Sequence, residues 1–87
     1  MCVDKIKIEE KYYLMLYPKD YSKIINRLSL TLDSLIFVET YPKAYLEDII
    51  SNIKFLFKNT LQITSELFFI ETVDNTINIY KYSLHKK

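Results

Sequence analysis

The residues able to do chemistry in this chain are few and poorly placed for it. The sole histidine, His85, stands three positions from the end of the sequence. Chain ends lack the fixed geometry that a general base needs, so His85 reads as a solvated residue and no Ser-His-Asp triad is expected. The carboxylates come as neighbours, Glu9-Glu10 and Glu47-Asp48. In a strand, adjacent side chains point to opposite faces, so Glu9 and Glu10 cannot share a substrate. Glu47 and Asp48 suit the positive end of a helix. Glu66 and Glu71 fall on opposite faces of one strand. Glu10 interrupts an otherwise apolar strand face and is the best candidate for an acid–base or metal-binding group. No Asp/Glu/His cluster has recognisable ligand spacing, and the lone Cys2 supports neither a disulfide nor a cysteine zinc site. The reading is therefore of a protein that is not an enzyme, with no catalytic residue, metal or cofactor.

Glycine is absent from all 87 residues. Phosphate loops, dinucleotide-binding turns and the nucleophile elbow all need glycine for positive φ or close backbone approach, so those chemistries are excluded. Twelve basic residues against eleven acidic ones leave a net charge of +1, with Arg27 the single arginine. That balance counts against strong attraction to nucleic acid or anionic lipid. No signal peptide and no membrane-spanning stretch is visible, and a reducing cytoplasm is the expected location. The richness in Ile, Lys, Tyr, Asn and Phe, beside one alanine and no glycine, points to an AT-rich coding source such as a low-GC bacterium, its phage or a virus.

The elements that must position any site follow from periodicity. The length predicts one domain over residues 1–87, with 1–4 and 85–87 frayed. Residues 5–17 alternate as one strand, with Ile6, Ile8, Leu14 and Leu16 on one face and Tyr13, Met15 and Tyr17 on the other. Pro18 ends it. Asp20 or Ser22 then caps a first helix whose stripe is Tyr21, Ile24, Ile25, Leu28 and Leu32, with Leu30 off the stripe. Residues 35–38 read as a short buried strand in preference to a continuation of that helix. A second helix runs from Pro42 to about Asn59, with an apolar stripe of Leu46, Ile49, Ile50, Ile53, Leu56 and Phe57, and with Phe55 on its opposite side. Asn59 is suited to a left-handed cap. Two strands, 61–73 and 76–84, are joined at Asp74-Asn75 as a hairpin. The order β-α-(β)-α-β-β predicts a two-layer α+β sandwich: a mostly antiparallel sheet of three or four strands with two helices on one face.

That architecture leaves the second sheet face apolar and open. Tyr13, Met15, Tyr17, Tyr80 and Tyr82 lie on it, with Leu30 and Phe55 as further exposed anchors. Aromatic surface of this kind suits a protein partner. The reading is a small protein–protein interaction module, a homodimer or a binder of a host protein. With its coding bias it suits a phage or mobile-element accessory protein that inhibits a host enzyme stoichiometrically. A fold of the chain's own residues 34–41 or tail over that face is the competing structural reading. The alternative function is a single-stranded nucleic-acid binder, with Tyr13, Tyr17, Tyr80 and Tyr82 stacking bases and Lys7, Lys11 and Lys81 near phosphates.

Overall fold

A computed structural model describes residues 1–23, 25, 28–59 and 66–83. Five strands form one antiparallel sheet: β1 (Cys2–Ile8), β2 (Lys11–Tyr17), β3 (Ile36–Pro42), β4 (Glu66–Val73) and β5 (Thr76–Ser83), in the spatial order β1-β2-β4-β5-β3. One helix, α1 (Leu46–Asn59), precedes β4. The α+β class and the antiparallel sheet agree with expectation. The number of strands and helices does not.

The first correction is at Glu9-Glu10. The expected single strand over 5–17 is a hairpin, because Glu9 adopts a left-handed φ of 57° and turns the chain. Non-glycine residues reach this region at a steric cost, so sequence pattern gave no reason to place a turn between two glutamates. The turn has a large consequence. Ile6 pairs with Tyr13 and Ile8 with Lys11, so even-numbered residues of β1 share a face with odd-numbered residues of β2. Ile6 and Ile8 thus lie with Tyr13, Met15 and Tyr17, not with Leu14 and Leu16. The amino terminus is also not frayed: Cys2–Asp4 pair with Met15–Tyr17. The expected fraying of 85–87 lies outside the described residues.

The second correction concerns the first helix. Between β2 and β3 the described residues include short 3-10 turns at Lys19–Tyr21 and Leu32–Ser34, and Ile25 also has 3-10 geometry; Ile24, Asn26 and Arg27 lie outside the described residues. Tyr21, Ile25, Leu28, Leu30, Leu32 and Leu35 pack against a cluster of Ile8, Tyr13, Met15, Tyr17, Leu67 and Phe69. This strap covers the face that was expected to be open. Thr31 and Ser34 cap its second turn reciprocally, and the Leu32 N–H donates to Glu9 Oε2 at 3.0 Å. The β1–β2 turn therefore anchors the strap.

Helix α1 covers the opposite face. Ile53 is buried with Leu16, Ile70, Ile77 and Ile79, and Leu46, Ile49, Ile50 and Phe57 pack around them. Its acidic first turn and basic last turn match the macrodipole. The helix starts at Leu46 rather than Pro42, because Pro42 remains extended opposite Thr76 at the end of β3 and residues 43–45 make a 3-10 turn. Proline is tolerated there because β3 is an edge strand. The preferred reading of 35–38 as strand agrees with β3, although the strand is exposed rather than buried. The expected start of β4 at Leu61 and the Asn59 cap lie at or beyond the limit of the described residues, and β5 is described to Ser83.

The Asp74-Asn75 hairpin forms as expected, with Asp74 at φ 54°. In both two-residue turns the first residue carries the positive φ, the position where one hairpin turn type favours glycine. Asp74→Gly is therefore expected to stabilise the protein by about 0.5–1 kcal/mol in urea titration. Glu9→Gly relieves the same strain but removes the acceptor of the Leu32 N–H. It is expected to give no net gain; a gain equal to that of Asp74→Gly would show that the strap anchor contributes nothing.

Candidate interaction surface and its polar support

Six of the seven residues expected to contact a partner lie inside or against the strap-covered core. Tyr13, Met15 and Tyr17 are only 2–6% exposed, and Tyr80, Tyr82 and Leu30 are half-buried against the same cluster. The rings were expected on an open face, and the strap occupies that face instead. Phe55 alone is fully on the surface, at 67% exposure on the outer side of α1. The structure does not bring these seven residues together as one surface.

Among the described residues the longest run of exposed large hydrophobics is on β3. Ile36, Phe37 and Val38 are consecutive and each about half exposed (52, 55 and 45%). A regular strand would turn one of its faces inward, but the register of β3 against β5 shifts between Phe37 and Glu39 and leaves Val38 unpaired. Such a bulge bends the strand and re-aims its side chains. Phe37 lies edge-on to Tyr80, ring centroids 5.8 Å apart, on the strap side. Val38 instead borders a groove of about 340 Å³ between β3 and α1, lined also by Tyr41, Ile49, Asn52, Leu56 and Phe68. Leu56, expected in the buried stripe, is 46% exposed here. The opposite sheet edge differs: β1 presents Asp4, Lys5 and Lys7, charges that discourage pairing with another strand.

A polar chain braces the strap side at its lower end. The Thr40 hydroxyl donates to Asn78 Oδ1 at 2.6 Å, and Asn78 Nδ2 donates to Glu71 Oε1 at 3.3 Å. The Tyr80 hydroxyl donates to the same carboxylate oxygen at 3.1 Å, and Lys11 Nζ lies 3.7 Å from Glu71 Oε2. The chain crosses β3, β5, β4 and β2. Glu71 is 8% exposed, yet three donors surround it, which is what a buried carboxylate requires. It reads as a structural anchor. Glu10, the leading sequence candidate for acid–base or metal chemistry, stands exposed in the β1–β2 turn. His85 lies outside the described residues. Among the described residues no three His, Cys, Asp or Glu side chains converge to hold a metal ion, and no helix is long and apolar enough to cross a membrane.

Glu71 was missed as a core residue, although the sequence carried the signal. A turn at Asp74-Asn75 sets Glu71 opposite Asn78 and diagonal to Tyr80, as observed. The exposed Ile36-Phe37-Val38 run was likewise legible as apolar, but its exposure depends on the bulge, which no residue type announces.

Comparison with known protein families, with curated proteins and with solved structures finds no match to this chain. The surface geometry alone carries the functional argument.

Burial and the Glu71 carboxylate together push the Tyr80 phenol up to about 12. Burial, then the charge of Glu71, raises Tyr13, and the hydrogen bond donated to Asp4 holds Tyr17 far above the usual phenol range. Each native phenol holds its proton more tightly than its unfolded counterpart at pKa 10. The associated stability is complete below pH 10 and is lost as pH rises through 10 to 12. The tyrosinate absorbance that Tyr13, Tyr17 and Tyr80 contribute at 295 nm should therefore rise only above pH 10, together with unfolding. Glu71→Gln should lower the Tyr80 pKa without returning it to 10, because burial remains. A Tyr80 phenol that titrates at 10 in the native chain would contradict this.

Proposed function

We propose that the protein is a non-enzymatic protein–protein interaction module whose docking surface is the β3 edge and the groove between β3 and α1. The observation that carries this reading is the exposed run Ile36-Phe37-Val38 beside an open apolar groove, on a chain small enough to have little surplus core. Contiguous exposed apolar surface rimmed by polar groups is the usual mark of a docking site. Asn52 supplies a polar group in the groove lining, and the exposed Glu39 and Thr40 follow the run directly in β3. The bulge at Val38 breaks the flat edge that would template indiscriminate strand pairing, so side chains rather than backbone select the partner. A branched or aromatic side chain of the partner seated between Val38 and Leu56 would be the central anchor.

The sequence reading of a stoichiometric inhibitor of a host enzyme, carried by a phage or mobile element, belongs to this proposal as one use of such a surface. Self-association through the same surface is another. Against the nucleic-acid alternative, two of the four rings read as base-stacking, Tyr13 and Tyr17, are buried under the strap.

The test is paired. Val38→Lys places a charge in the groove at an exposed position and should change stability by less than about 0.5 kcal/mol. Phe69→Ala, at a fully buried position, should cost about 3–5 kcal/mol. Light scattering across a concentration series reads self-association; native protein as bait in lysate of its source reads a foreign partner. Native protein should form a complex that Val38→Lys weakens at least tenfold. A monomer with no partner, or a complex indifferent to Val38→Lys, would sink the assignment.

A further inference from the structure

A second cavity lies apart from the β3 groove, where the turn after β2 meets the last turns of α1. It measures about 290 Å³ and is lined by Met1, Pro18, Lys19, Lys54, Phe57 and Lys58. That is close to the lower end of the roughly 300–1,000 Å³ range of small-molecule pockets. Three of its six lining residues are lysines and none is acidic. In a chain whose charges nearly cancel, this is a local concentration of positive charge. Among the described residues no carboxylate pairs with Lys19, Lys54 or Lys58.

Part of this charge has an ordinary use. Lys58 lies in the last turn of α1, where a cation offsets the unpaired carbonyls, and Lys54 stands one turn before it. Lys19 comes from a separate element, the 3-10 turn Lys19–Tyr21, and faces the same cavity. The cavity also has an apolar wall. Phe57 is half-buried and rests against Phe68 with ring centroids 5.9 Å apart, and Pro18 lies beside the lysines.

We infer that this cavity binds a small polyanion of the phosphate class, with a planar or apolar portion resting on Phe57 and Pro18. Lysine ammonium groups recognise phosphate as point charges, without the planar fork that arginine uses for carboxylates. Three of them around one concavity match a ligand with two or more negative charges. A monoanion would leave charge uncompensated, and a purely apolar ligand would require the ammonium groups to be stripped of water. The site needs no glycine-rich loop, because side chains rather than backbone N–H groups supply the charge. The inference does not depend on the β3 surface.

The test titrates the native chain at low ionic strength with inorganic pyrophosphate, then with adenosine triphosphate, following backbone amide shifts by NMR. Binding should saturate, with shifts centred on Lys19, Lys54, Phe57 and Lys58. Adenosine triphosphate should bind several-fold tighter than pyrophosphate, because its base adds contact with Phe57. Added salt should weaken both. The double variant Lys54→Gln, Lys58→Gln should lose about tenfold in affinity for each probe. Glutamine keeps helix propensity, and far-UV circular dichroism checks the fold. Lys19→Gln, outside the helix, provides a second variant and should also weaken binding. Shifts that never saturate, shifts spread over all the lysines, or affinity unchanged in both variants would overturn the site. So would a short thymidine oligonucleotide that binds tighter than either probe and is indifferent to the substitutions, since that would mark diffuse charge rather than a pocket.

Discussion

Strand β4 is buried on both of its faces, and the rest of the structure depends on that. Leu67 and Phe69 are inaccessible on one side and Ile70 on the other. A sheet whose central strand is apolar on both sides needs two covers. This chain has only one helix among its described elements, and α1 covers the face of Leu16, Ile70, Ile77 and Ile79. The other cover is a strap of short turns. An irregular segment is an unusual choice, because backbone without ladder or helix bonds must find partners elsewhere. Local turn bonds, the Thr31–Ser34 capping pair and the Glu9 carboxylate supply several of them.

The same constraint explains why the β1–β2 hairpin matters. By turning at Glu9, the chain sets Ile6 and Ile8 beside Tyr13, Met15 and Tyr17 and concentrates apolar surface on the strap side. A continuous strand would have divided those residues between faces. The strap then has a large apolar target, and its leucines supply the matching surface. A polar boundary closes the apolar zone, formed by Thr40, Asn78, Glu71 and Lys11 across four strands. The raised phenols of Tyr13 and Tyr80 follow from lying where the apolar zone meets that boundary.

Legibility in the sequence followed the range of the interaction that decides each feature. The β4–β5 hairpin, the helix near 46–59 and the strand near 35–38 were readable because local turn chemistry, an amphipathic stripe and β-branched enrichment decide them. The Glu9 turn was not, because its φ is adopted against residue preference and held by tertiary contacts. Once that turn was missed, the face assignment of β1 reversed, and the open aromatic face followed as an error of parity rather than of composition. The strap was misread because leucines at helical spacing also suit a segment laid across a flat sheet. Of the expected anchors, Phe55 stayed at the surface because helix geometry alone places it there.

Covering both faces of the sheet also determines where surface remains for a partner. With α1 packed on β2, β4 and β5 and the strap on the opposite side, a consecutive run of open apolar positions remains at the β3 edge. There the last strand extends past its cover. Val38 stands at the bulge, and a groove remains between Val38 of β3 and Leu56 of α1. Filling that groove internally would take a larger side chain at Asn52 or a regular strand at Val38. The chain has neither. The apolar surplus seen in the composition is thus resolved in two ways: the strap and α1 absorb much of it, and a consecutive exposed run remains at the β3 edge, where a partner's side chain has room to enter.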